Sequence, residues 1–110
     1  MKSDDVFLRH ILEEIKFLTK QTREISFDEF TKDEVLKRAS TRSIEIIGEA
    51  VKNLSDDFKN KIKGDAHWRR IAGMRDKLIH HYFGVNWDIV WSVIKDKLPQ
   101  LKKDIEDILK

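Results

Sequence analysis

Apolar residues recur every three or four positions along nearly the whole chain, and few residues interrupt them. The 110-residue sequence contains one proline and four glycines, so it offers few points at which a helix must end. No segment shows the alternation of apolar and polar residues that is typical of half-buried strands. The pattern predicts an all-α fold, most simply a four- to five-helix up-and-down bundle. A chain of this length is expected to form a single domain over residues 1–110.

Capping residues indicate where the helices begin. The first helix is expected from Ser3 to about Thr19. Ser26 with Glu29 can cap a short turn, because a serine hydroxyl and a glutamate three residues later satisfy each other's backbone amides. Thr31 with Glu34 repeats this spacing and is predicted to open the longest helix, which would run to about Leu54.

The second half of the chain is divided by glycine, asparagine and proline. Ser55 is expected to start a short segment that Gly64 closes, and Asp65 to cap a helix that ends at Gly84. Asn86 is expected to begin the last helical region. Within that region Pro99 predicts a kink or a restart near Leu98, because proline lacks the amide hydrogen that the helix needs.

Two tryptophans, Trp87 and Trp91, are four residues apart and therefore share one helix face. With Phe83 they could form part of the core or a surface that pairs two copies of the chain. The core is the favoured interpretation, since large aromatic rings bury extensive apolar area. Exposure of both rings would instead indicate a partner.

Composition excludes several classes of site and location. Without cysteine there is no disulfide, no thiolate nucleophile and no cysteine-ligated metal. No stretch approaches the ~20 apolar residues of a membrane span, and the N-terminus lacks the basic-then-apolar order of a signal peptide. The sequence therefore predicts a soluble, cytoplasmic protein with no membrane association and no cofactor.

Positive charge is concentrated in one segment. Residues Lys59 to Lys77 carry seven basic and two acidic side chains, a net charge of +5 in a chain whose total is +2. Such a zone is a plausible footprint for a polyanion, although ordinary solvated side chains would give the same count. The candidate RNA-binding residues are Arg69, Arg70, Lys77 and His81.

The segment MRDKLIHHYFG, residues 74–84, gathers the residue types of an active site at a helix end. A solvated helix end would show the same types, because the helix dipole favours histidine and lysine there. On an ideal helix Tyr82 lies within about 20° of Arg75, and His80 lies about 40° from Asp76. Arg75 and His80 are about 140° apart, so they are not neighbours on one regular helix. Either the helix loosens near His80, or two copies of the helix meet across a two-fold axis. The dimer is favoured, because a two-fold interface places identical patches face to face.

These residues suffice for RNA cleavage without a metal. His80 can remove the proton of a ribose 2′-hydroxyl as it attacks the neighbouring phosphate, and Arg75 can stabilise the charge on the phosphoryl oxygens. Asp76, one turn before His80, could fix the orientation and tautomer of the imidazole. DNA lacks the 2′-hydroxyl, so the chemistry predicts RNA alone. A metal site is not expected, because adjacent histidines point apart on a helix and His-Glu-x-x-His is absent. His10 and His67 fit ordinary surface or boundary positions.

Three segments resemble a known family. RSIEIIGEAVKNLS, RDKLIHHYFGVNWDIVW and LPQLKKDIEDIL, in this order, are similar to the HepT-like toxins of the HEPN superfamily over nearly the whole chain. The hallmark of that family is an arginine, four to six residues, a histidine, one residue and a tyrosine. Arg75, His80 and Tyr82 meet it, and Asp76 occupies the polar position that commonly follows the arginine.

The resemblance implies an all-helical homodimer with a composite cleft and a metal-independent endoribonuclease activity that arrests growth. It implies the toxin component of a type II- or type VII-like toxin–antitoxin system, whose partner is an MNT-type nucleotidyltransferase antitoxin encoded beside it. It further implies that the antitoxin transfers AMP to Tyr82. Phosphates attached there would lie on the helix face of Arg75 and neutralise its charge.

Two other functions remain open at this point. The chain could be a non-catalytic helical partner of the nucleotidyltransferase, which would bind it and accept AMP without cleaving RNA. It could also be a nucleic-acid or nucleotide-binding domain, which would bind RNA and DNA alike in a salt-dependent manner.

Overall fold

The computed structural model describes residues 2–60, 66–80 and 84–109, with side chains at 4–60, 69–77 and 84–109. These residues form helices joined by short connections and contain no strand, which confirms the all-α prediction. The helices are α1 (Lys2–Thr22), α2 (Phe27–Lys32), α3 (Glu34–Lys52), α4 (Asp56–Asn60), α5 (Ala66–His80), α6 (Trp87–Ser92) and α7 (Leu98–Leu109). A π-helical segment, Val93–Lys97, joins α6 to α7.

Helix α1 runs antiparallel to α3 and to the last helical region. Near the start of α1, the Asp4 carboxylate accepts hydrogen bonds from the amide (2.8 Å) and the hydroxyl (2.6 Å) of Ser55, just after α3. At the other end of α1, the carbonyl of Thr22 accepts a hydrogen bond from Lys95 Nζ (2.7 Å). Helix α5 packs mainly against α3. The long helices thus form the expected bundle around a continuous apolar core.

Three of the helix caps predicted from the sequence are present in the structure, and a fourth is not. Ser26 and Glu29 form the predicted capping box, Ser55 Oγ accepts from the amide of Phe58, and Asn86 caps α6. The prediction for Thr31 was wrong. Its hydroxyl donates to the carbonyl of Asp28 (2.8 Å) inside α2.

Asp33 caps α3 in place of Thr31. Its backbone is extended, and Oδ1 accepts from the amide of Leu36 at 2.9 Å. Because Asp33 lies three residues before Leu36, its carboxylate can accept the hydrogen bond of this otherwise unpaired amide. Glu34 is then the first helical residue. The predicted boundary residues Gly64 and Asp65 lie outside the described residues, as do residues 81–83, which precede Gly84.

Pro99 lies in the first turn of α7, directly after the π-helical segment. The amide of Leu98 donates to the carbonyl of Val93, five residues earlier, as in a π-helix. The expected interruption near Leu98 is therefore a change in helix type rather than a break in the chain. The apolar line across it stays in the core: Val90, Ile94, Leu98, Leu101 and Ile105 are all buried.

The two tryptophans pack inward, as favoured by the sequence. The ring of Phe30, fully buried, lies 6.0 Å from that of Trp87 and 5.1 Å from that of Trp91. Lys37 and Lys95 place their ammonium groups 5.1 and 4.9 Å from the centres of the two indoles. Both indoles are half-buried against the core, while Phe83 lies outside the described residues.

Gly48 sets the distance between α3 and α5. It is buried, and a Cβ added to it would overlap the Cβ of Arg75 and lie 3.1 Å from the carbonyl oxygen of Ile71. No residue with a side chain fits at position 48 unless α5 moves. The close approach brings Arg75 directly against α3.

Replacing Gly48 with alanine should destabilise the protein by about 1–3 kcal/mol, because the added methyl group overpacks the contact between α3 and α5. Gly73→Ala is the matched control, since a Cβ on Gly73, within α5, meets no atom within 4 Å. That variant should be neutral or more stable by up to about 1 kcal/mol, through helix propensity. Urea unfolding measures both. Equal stability of the two variants would contradict the packing assigned to Gly48.

Candidate active site around Arg75

Arg75 is held between carboxylates from two helices. Its side chain is 28% exposed and leaves α5 toward α3. Nη2 lies 3.0 Å from Oε2 of Glu49, and Nη1 donates to Oδ1 of Asp76 at 2.9 Å. These contacts and the backbone contact at Gly48 fix the guanidinium at the surface of the bundle.

Asp76 connects Arg75 to a second cation. Lys52 Nζ, at the end of α3, donates to Oδ1 and Oδ2 of Asp76 at 2.8 and 3.0 Å. The hydrogen bond from Lys52 and then that from Arg75 hold the pKa of Asp76 below its usual range, although partial burial opposes them. The pKa of Arg75 is raised, chiefly by the hydrogen bond to Asp76 and further by the charge of Glu49. Both groups are therefore charged at neutral pH.

The four charged groups balance one another. Arg75 and Lys52 supply two positive charges, and Glu49 and Asp76 supply two negative charges. Chemically the cluster offers a planar guanidinium whose N–H donors, along its edges, are held in a defined orientation, which suits a phosphoryl group. An anion that binds Arg75 must compete with carboxylates already in place.

Arg75 opens into a cavity of about 230 Å³ between α1 and α3. A second ion pair lies in this cavity, where Arg42 Nη1 is 3.5 Å from Glu45 Oε2. The lining residues are Phe7, His10, Arg42, Glu45, Ile46, Glu49, Ala50 and Arg75. His10, predicted to be an ordinary surface or boundary residue, is exposed and also lines this cavity beside Arg75.

The predicted RNA-binding residues line a different groove. A cavity of about 590 Å³ lies between α5 and the last helical region, with Arg69, Arg70 and Lys77 exposed along it. Lys97 adds a further basic group, and the apolar floor consists of Ile71, Met74, Ile89 and Val93. The structure thus places these three predicted contacts together, but in a cavity that Arg75 does not line. His81 lies outside the described residues.

The other motif residues are only partly described. Helix α5 is α-helical through His80, whereas the His80 side chain and Tyr82 lie outside the described residues. The predicted contact between Asp76 and the imidazole stays a prediction. The described partners of Asp76 are Arg75 and Lys52.

Glu49 and Lys52 are site residues that the sequence analysis did not identify. Both lie in the segment RSIEIIGEAVKNLS, for which the family resemblance predicts no catalytic residue. A signal exists in hindsight, because Glu45, Glu49 and Lys52 recur at helical spacing beside Gly48. The partners of Glu49 and Lys52 are more than twenty positions away, so the sequence alone does not pair them.

In the described part of the chain, no group of three or more histidine, cysteine, aspartate or glutamate side chains is arranged to hold a metal ion. Among the described helices, none combines the length and apolar composition needed to cross a membrane.

Comparison with known proteins agrees with the resemblance. The family model described as Ribonuclease HepT-like matches residues 11–108. A candidate RNase of Caldanaerobacter subterraneus subsp. tengcongensis is 52% identical over 99% of this chain and 96% of its own length. A candidate RNase of Methanocaldococcus jannaschii is 49% identical, covering 94% of this chain and 85% of the relative. A candidate ribonuclease HepT of Thermococcus cleftensis is 42% identical over 99% and 98% of the two chains. No solved structure matches significantly.

The lowered pKa of Asp76 predicts a pH-dependent contribution to stability. Because the pKa is lower in the folded than in the unfolded chain, the contribution is present above the unfolded pKa and lost as pH falls through the folded pKa. At pH 7 the parent should unfold at a higher temperature than Asp76→Asn. The difference should shrink below about pH 4, where the unfolded carboxylate protonates. Thermal unfolding from pH 7 to pH 2.5 checks this, and a constant difference would contradict the ion-pair assignment.

Proposed function

The chain belongs to the HepT-like ribonucleases, which are ribonuclease toxins of the HEPN type, and from this premise we propose that it cleaves RNA endonucleolytically, without a metal, in a cleft shared by two identical subunits. The observation that carries the proposal is the half-buried Arg75, fixed by carboxylates of two helices at 2.9 and 3.0 Å. A preorganised guanidinium stabilises developing phosphoryl charge without having to reorganise during the reaction.

The reaction is an attack within the RNA backbone. His80 removes the proton from the ribose 2′-hydroxyl, the 2′-oxygen forms a bond to phosphorus, and the bond to the 5′-oxygen breaks. The leaving 5′-oxygen takes up a proton, so the products end in a 2′,3′-cyclic phosphate and a 5′-hydroxyl. Arg75 binds the phosphoryl oxygens as their negative charge grows. DNA is not a substrate, because it has no 2′-hydroxyl.

The course of α5 supports a site composed from two subunits. Because α5 keeps its α-helical form through His80, positions 75 and 80 stand about 140° apart around the axis. The alternative of a helix that loosens before His80 finds no support in the described residues. A two-fold axis near the end of α5 would bring Arg75 of one subunit toward His80 of the other.

Asp76 takes part by holding other groups in place. An ionised carboxylate has about four acceptor positions, and Lys52 and Arg75 use three in the described contacts. The remaining capacity allows Asp76 to accept from the imidazole of His80, one turn later, as the sequence predicts. Beyond the cleft, RNA would follow the groove of Arg69, Arg70 and Lys77. His81 is a further contact proposed from the sequence.

Regulation by an MNT-type nucleotidyltransferase antitoxin completes the proposal. AMP transferred to the Tyr82 hydroxyl would add phosphate that, on an ideal helix, lies within about 20° of Arg75 and can occupy its donors. The unmodified ribonuclease would act in the cytoplasm and arrest growth, and the modified protein would be inactive.

His80→Ala and Arg75→Ala should each lower RNA cleavage by about 10²-fold or more, the usual effect of removing a general base or a charge-stabilising donor. Purified protein and a labelled single-stranded RNA, in buffer with a chelator, give the rate and the chemical form of the ends. Arg38→Ala, an exposed site elsewhere on α3, is the matched control and should keep the parent rate. If both motif variants cleave like the parent, Arg75 and His80 take no part in the chemistry; if the parent itself cleaves no RNA, the chain acts only as a binding partner or scaffold.

Tyr82→Phe should abolish AMP incorporation while it preserves RNA cleavage, because the hydroxyl is the acceptor and takes no part in proton transfer. Tyr82 is the only tyrosine of the chain, so the substitution removes every tyrosine acceptor. Incubation with the nucleotidyltransferase encoded beside the gene and ATP, followed by intact-mass measurement, scores the modification. AMP retained on the phenylalanine variant would place the acceptor elsewhere.

A further inference from the structure

Glu49 occupies part of the surface that Arg75 needs for binding a phosphate. Its Oε2 lies 3.0 Å from Nη2 of Arg75, on the side of α3. Asp76 accepts from Nη1 of the same guanidinium. Arginine binds a phosphate most strongly through two parallel N–H bonds, and these are commonly the bonds of its outer nitrogens. In the free chain, carboxylates contact both nitrogens.

The cavity beside Arg75 therefore lacks an excess of positive charge. Arg75 pairs with Glu49, and Arg42 pairs with Glu45 one turn earlier on α3. A phosphate that enters this cavity meets two carboxylates as well as two guanidinium groups. Like charges at these distances repel, so binding of the phosphate requires one carboxylate to withdraw.

Glu49 can withdraw more easily than Asp76. The Asp76 carboxylate has two contacts with Lys52 in addition to that with Arg75. Glu49 has the longer side chain and is 53% exposed, compared with 44% for Asp76. An alternative partner is also close, since Glu49 Oε1 lies 3.4 Å from the side-chain amide of Asn53.

We propose that Glu49 is a specificity-determining residue of the RNA site, whose carboxylate holds Arg75 in the free protein and yields that edge to a phosphate of bound RNA. This inference rests on the proposed function. Breaking the ion pair between Glu49 and Arg75 costs binding free energy, and a ligand binds tightly only if its contacts elsewhere on the protein offset that cost. An RNA that also contacts several other basic residues can offset this cost, whereas a polyanion that contacts few of them cannot.

The test compares RNA affinities in a background that cannot cleave. A labelled single-stranded RNA is titrated with His80→Ala protein and with the same protein carrying Glu49→Gln, which keeps the size of the side chain and removes its charge. Glu106→Gln, on an exposed residue of α7, makes the same change in net charge away from the site. Thermal unfolding confirms that all three proteins are folded.

Glu49→Gln should tighten RNA binding about threefold to tenfold, whereas Glu106→Gln should change it less than about twofold. The slope of log affinity against log salt should steepen by up to about 0.7, since the negative charge of Glu49 no longer offsets Arg75 beside the bound phosphate. A purely structural role for Glu49 predicts the opposite, because a misplaced Arg75 would weaken binding and flatten the slope.

Two results would overturn the inference: a Glu49→Gln affinity equal to that of Glu106→Gln, or a weaker one. Cleavage by the parent chain is scored in parallel and tests the proposed function separately. If the parent cleaves RNA but Glu49→Gln does not tighten RNA binding, only the role of Glu49 is overturned. Absence of cleavage overturns the proposed function, whatever the binding comparison gives.

Discussion

The close contact between Gly48 and Arg75 is the constraint on which the site depends. Helix α5 can lie this near to α3 only because position 48 has no side chain. The approach puts the guanidinium of Arg75 within reach of Glu49 and the carboxylate of Asp76 within reach of Lys52. A packing requirement in the core is thus also the requirement that orients the charged groups at the surface.

The charged cluster stabilises the position of Arg75 and at the same time limits its ability to bind another anion. Two carboxylates fix the guanidinium, so in the proposed site little orientational freedom of Arg75 would be lost when a phosphate binds. The same carboxylates cancel its charge in the free protein. This arrangement suits a toxic ribonuclease, in which unselective binding of polyanions would be a disadvantage. The groove of Arg69, Arg70 and Lys77 supplies positive charge outside the cluster.

Local sequence determined the helices well, because apolar spacing and capping are properties of neighbouring residues. Ser26 and Asn86 cap helices as predicted, and Pro99 lies just after the chain changes from a π-helical segment back to an α-helix. The error at Thr31 arose because two capping patterns overlap, and Asp33 satisfies the amides of α3 from a better position. The ion pair of Glu49 with Arg75 could not be predicted, since it depends on how two helices pack rather than on spacing along the chain.

Subunit complementation tests most directly whether Arg75 and His80 act together across a two-fold axis. Arg75→Ala and His80→Ala proteins, each inactive alone, are mixed under conditions that exchange subunits, and RNA cleavage is measured. A shared site predicts recovery of about a quarter of the parent activity, because half of the dimers are mixed and each carries one intact site of two. Activity no higher than that of the separate variants would contradict a site composed from two subunits.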